Sequence, residues 1–82
     1  MGETYLGDVR AMGFDFAPRR WAKCNGQIMQ ISQNFALYSL LGTRFGGDGK
    51  ATFGLPDLPG VPAQDGKVLT YCICLEGEFP TH

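Results

Sequence analysis

The chain has one histidine, at position 82, and no run of basic residues longer than two. The first shortage leaves no Cys–His or Ser–His arrangement for nucleophilic catalysis, and no Ser-containing elbow is present either. The second leaves no electrostatic footprint for nucleic acid; Arg10, Arg19, Arg20 and Lys23 are only loosely grouped, and the net charge is −1. No apolar window approaches a membrane span. The opening residues, MGETYLGDVRAMGF, have neither the charged start nor the continuous apolar stretch of a secretory signal. Gly2 invites N-myristoylation, but that pattern needs Ser or Thr where Leu6 stands. The cysteines, Cys24, Cys72 and Cys74, are odd in number and lack framework spacing, so free, mostly buried thiols are expected.

The apolar content of 44%, with six Phe, three Tyr and one Trp, supplies a folded core and excludes intrinsic disorder. Without internal repeats or charge blocks, 1–82 reads as one domain. A chain of 82 residues buries a small core, so stability gained against a copy or a partner is expected.

Apolar residues at period two predict a first strand around Asp8 to Phe14. Ala17-Pro18-Arg19-Arg20 is a turn. Trp21 to Cys24 resumes extended structure, and Asn25-Gly26 signals a hairpin into Gln27 to Ile31. Ser32 is the expected N-cap, with Ile31 and Ala36 as staple, of one short helix at about Gln33 to Leu41; Leu37, Leu40 and Leu41 mark its apolar face and Gly42 its end. Gly42 to Leu58 then places five glycines in seventeen residues, and because Phe45, Phe53, Leu55 and Leu58 recur through it and want burial, a functional or tightly structured loop is expected in place of a disordered linker. Gly60 to Lys67 is a turn-rich connection, and Val68 to Leu75 is a central strand with Cys72 and Cys74 on one face and Tyr71, Ile73 and Leu75 on the other. The expected core is Phe14, Trp21, Ile28, Leu37, Leu40, Leu41, Leu55, Leu58, Leu69, Ile73 and Leu75. This is a small α+β domain.

The chemistry these residues invite fails mostly on spacing. GGDGK is not a phosphate-binding loop, because Arg44 stands where the first glycine is needed and Ala51 follows the Gly-Lys pair. Gly47-x-Gly49 follows a helix and Thr52 holds the third glycine position, so a dinucleotide fingerprint fails too. Asp48 and Asp57 cannot furnish a calcium loop, and a turn at Asp48-Gly49 with an Asx-type bond at Asp57 is the simpler reading. Cys24, Cys72, Cys74 and His82 reach the count of a zinc site without its spacing. Glu76 and Glu78 read as solvated turn residues. Arg19 and Arg20 flanking Trp21 offer a cation–π or glycan-stacking patch beside the commoner reading of a surface turn next to a core Trp. No cofactor, metal or catalytic residue is expected.

Taken in order, G-D-V-R at Gly7 to Arg10, D-F-A-P-x-x-W at Asp15 to Trp21 and C-N-G at Cys24 to Gly26 form a recognisable series. It continues with I-S-Q-N at Ile31 to Asn34, A-L-Y-S-L-L-G-T at Ala36 to Thr43, F-G-G-D-G at Phe45 to Gly49 and T-F-x-L-P-D-L to Leu58, and resumes in L-T-Y-C-I-C-L-E-G-E-F-P from Leu69 to Pro80. The series resembles the phage tail collar domain family, which includes collar regions of short tail fibres and the bacterial microcystin-dependent proteins. The resemblance implies a hairpin region, one helix, the glycine-rich loop and a returning strand, in a non-enzymatic module of trimeric fibres. Cys24, Asn25, Gly26, Gly46, Gly47, Asp48, Gly49, Pro56 and Asp57 would then be structural motif residues. Family members commonly carry an R-G-R and a long insertion after L-P-D-L; here Leu58 meets Pro59-Gly60 and a short connector. The implied setting is a phage tail or phage-derived particle, with synthesis in the bacterial cytoplasm and a homo-oligomer, three by resemblance, or a larger fibre as partner. A second expectation is a carbohydrate- or surface-binding module using Arg19, Arg20, Trp21, Tyr38 or Phe45.

Overall fold

The computed structural model describes residues 4–62 and 68–80, the side chains of 61 and 62 excepted; His82 and most of the connector after Pro62 lie outside them. Six strands and one helix follow in the order β1 (Val9–Met12), β2 (Trp21–Lys23), β3 (Ile28–Gln30), α1 (Phe35–Leu41), β4 (Thr52–Gly54), β5 (Val61–Pro62) and β6 (Val68–Cys74). β6 is the centre of a four-stranded antiparallel sheet. β1 pairs along one side of it, Val9 opposite Ile73 and Met12 opposite Thr70. On the other side β2 sets Trp21 opposite Cys74 and Lys23 opposite Cys72; β5 also pairs with β6, Val61 opposite Leu69. The β-branched, nearly all-apolar run VLTYCIC suits a strand paired on both edges. The fold is small α+β.

The hairpin expected at Asn25-Gly26 does not form. β2 joins the central sheet, whereas β3 pairs with β4 in a separate two-stranded sheet. The local turn signal loses because 55–58 returns as a better partner: Leu58 N–H donates to Cys24 O (2.8 Å), Gly26 N–H to Pro56 O (3.1 Å) and Leu55 N–H to Gln27 O (3.0 Å). The helix start also differs. A 3₁₀ turn at Ile31–Gln33 contains Ser32, and Asn34 precedes α1 without a side-chain cap. Ile31 is buried and its N–H donates to Ala51 O (2.9 Å), which pins the chain before α1 starts. Ala36 is exposed, so no staple joins it to Ile31. Gly42 ends α1 as expected, its N–H donating to Tyr38 O (2.7 Å).

The core gathers Leu37, Phe53, Leu55 and Ile73 with Leu6, Ala22, Cys24 and Ile31, and Leu40, Leu41, Tyr71 and Leu75 pack around it. Three expected core residues are exposed instead. Ile28 is on the outward side of β3, since Met29 takes the inward one; Phe14 lies beyond the end of β1; Leu58 lies just past the Asn25–Asp57 bridge. Trp21 and Leu69 are half-buried. The predicted division of β6 holds: Tyr71, Ile73 and Leu75 face the core, while Cys72 and Cys74 are buried outside that cluster, beside Trp21, Lys23 and Arg10.

Candidate functional site

The glycine-rich loop is organised by one carboxylate. Asp48 Oδ1 accepts the N–H groups of Lys50 (2.8 Å), Ala51 (2.9 Å) and Thr52 (3.0 Å), and Asp48 N–H donates to Thr52 Oγ1 (3.1 Å). Those backbone N–H groups thus serve a turn within the loop. They also hold the Asp48 carboxyl well below the usual carboxylate range, because three donors favour its charged form. A group with a depressed folded pKa stabilises fully above its unfolded value, near 4, and less as pH falls through it. Acid titration of thermal unfolding should therefore show wild type losing stability below about pH 4. An Asp48→Ala variant should start lower and lose less over the same interval; parallel curves would refute the carboxylate's role.

The loop also closes tightly on itself. Gly49 N–H donates to Thr52 O (2.9 Å) and Gly54 N–H to Gly46 O (2.9 Å). A Cβ on Gly54 would stand 2.9 Å from the Phe45 carbonyl carbon. Tyr38 fastens the loop to α1: its hydroxyl donates to Gly49 O (3.2 Å), and its ring lies 5.5 Å from that of Phe53. Two motif stretches far apart in sequence, Cys24-Asn25-Gly26 and Pro56-Asp57, prove to be one antiparallel pairing, with Asn25 opposite Asp57. In this pairing the Asx-type bond belongs to Asn25 and not to Asp57: Asn25 Oδ1 accepts Gln27 N–H (3.2 Å).

Arg19, Arg20 and Trp21 share a turn in which Trp21 N–H donates to Pro18 O (3.0 Å) and Arg20 takes φ 73°, where glycine is usual. Both arginines are exposed, yet the cation over the Trp21 ring is Arg10, 5.7 Å from its centroid. Tyr38 and Phe45 belong to the glycine-loop side, and among the described residues no aromatic contact joins them to Trp21. Nothing in the sequence signals Arg10 as that partner or the exposed stack of Phe14 on Phe16, centroids 4.5 Å apart. The period-two alternation through Met12, Phe14 and Phe16 predicts a strand to about Phe14, whereas β1 ends at Met12. Trp21→Ala removes the ring that stands opposite Cys74 on β6, and a half-buried Trp should cost towards the lower end of the about 3–5 kcal/mol typical of core Trp. Urea unfolding measures it, and a loss below about 1 kcal/mol would mark the ring as a surface group.

The thiols are not poised for chemistry. Burial, with Cys72 adjacent, pushes Cys24 up to about 11, and burial raises Cys72 against the opposing pull of Lys23. Cys74 donates its S–H to Glu76 O (3.1 Å). Among the described residues no three His, Cys, Asp or Glu side chains converge as a metal site.

Turn by turn, the motif residues engage one another to hold a loop, a ladder and a sheet, which defines a small structural α+β module. Residues 7–62, more than half of the chain, match the phage tail collar domain, and the chain belongs to that family. The collar domain is a structural module of phage tail fibres and is not known as an enzyme family. Comparison with curated proteins finds no match.

Proposed function

We propose that this collar module acts by assembly, associating with copies of itself, three by resemblance, or docking onto a larger tail-fibre protein of a phage or phage-derived particle. The supporting observation is apolar exposure. Among the described residues ten large apolar side chains are exposed, and Phe16, Ile28, Phe35, Val68 and Phe79 are each more than half exposed. A chain this small gains much of its stability by covering such surface. Sedimentation velocity over a concentration series tests the reading: a boundary that moves faster with concentration supports it, and a concentration-independent monomer that also binds no tail-fibre protein contradicts it. Glycan stacking has less support, because Arg10 lies over Trp21 and Tyr38 is hydrogen-bonded to the loop.

A further inference from the structure

The central sheet packs one of its faces on the core and leaves the other without a covering layer among the described residues. Ile73, Tyr71 and Ala22 turn one face to α1, β4 and the loop, while the other carries Arg10, Met12, Trp21, Lys23, Thr70, Cys72 and Cys74. Near Trp21 that second face is closed by its own side chains, since Cys72 and Cys74 have no exposed surface. Towards the start of β6 it is open. Leu58 and Val68 line one cleft there, and Phe14 and Val68 line the next. Phe14 in turn stacks on Phe16, so Leu58, Val68, Phe14 and Phe16, exposed by 38, 59, 39 and 58%, make one continuous strip.

We propose that this strip is the self-association surface of the protein and that its occupant is a second copy, the Phe14–Phe16 end of one strip covering the Leu58–Val68 end of the next. The inference rests on the assembly reading above and deepens it. The exposed parts of the four side chains amount to roughly 300 Å² of apolar surface, the size of the largest patch on a typical monomer. A stable interface covers about 800 Å² per partner with an apolar centre and a polar rim. The strip fills the centre, and its rim is charged with opposite signs at its two ends. Asp15 lies between the two phenylalanines and lines the same cleft as Val68. Lys23 stands opposite Cys72, four residues along β6 or about 13 Å away, and lines the cleft shared by Leu58 and Val68. Asp57 lines that cleft too, its side chain over Gly26. Among the described residues Arg10 is paired with Asp8 (3.4 Å), whereas neither Asp15 nor Lys23 has an ion-pair partner. Copies placed head to tail bring the Asp15 end of one to the Lys23 end of the next, an arrangement a closed ring satisfies at every interface.

The test is the mass of the full chain by light scattering after size exclusion, for wild type, Phe16→Asp, Val68→Asp, Asp15→Lys, Lys23→Asp and the Asp15→Lys/Lys23→Asp pair. Both apolar positions are more than half exposed, so circular dichroism should be unchanged while either aspartate reduces the assembly to monomer. Each single charge reversal should weaken association by about tenfold and the double reversal should restore it. An assembled wild type indifferent to both aspartates would overturn this surface and leave self-association standing. Additive weakening in the double reversal would overturn the head-to-tail pairing. A monomeric wild type would overturn both this surface and the self-association it rests on.

Discussion

Phe53→Ala should cost about 3–5 kcal/mol and leave little folded protein at 37 °C. Among the described residues Phe53 is the largest fully buried side chain, and it joins the parts of the domain that local sequence does not. It sits in β4 opposite Met29 of β3, its ring lies 5.5 Å from Tyr38 of α1, and it shares the core with Ile73 of β6. Truncation removes one ring and leaves a cavity with walls on three elements, none of which can collapse into it without breaking a sheet. Urea unfolding of wild type and variant measures the loss. A cost near 1 kcal/mol would mean that the loop does not pack on the core as described.

Gly47→Ala should be nearly as damaging although it adds only a methyl group. Gly47 takes φ +89°, a conformation that costs an L-residue about 1–3 kcal/mol. The added Cβ would also fall on the Phe53 backbone and 2.6 Å from Thr52 O, so β4 itself must move. Strain and displacement act on the same strand that positions Phe53, and the two variants should therefore combine non-additively. Thermal unfolding of both singles and the double checks this. An alanine tolerated at Gly47 would contradict the loop geometry outright.

These two residues also show what the sequence discloses and what it withholds. Phe53 and Leu55 announce burial through their hydrophobicity, and β6 and the end of α1 are legible because pattern and end signals agree over several residues. Asn25-Gly26 misleads because a two-residue signal competes with a ladder formed by 55–58, thirty residues away, and the distant partner prevails. Leu6 is 4% exposed and its N–H donates to Glu78 O (2.8 Å), a parallel contact between the two ends of the described chain that no local pattern encodes. Among the candidate site residues, the glycines and Asp48 are recognisable as a turn from their types alone. That Arg10, not Arg19 or Arg20, lies over Trp21 follows from the register of both strands on β6, which emerges only once the sheet is assembled.

The most direct measurement of the assembly claim is the absolute mass of the purified chain at micromolar concentration by multi-angle light scattering. A species about three times the 8.9 kDa chain mass is expected, and it should dissociate on dilution. A folded, stable protein that stays at 8.9 kDa over the whole concentration range, with no fibre partner bound, would contradict it.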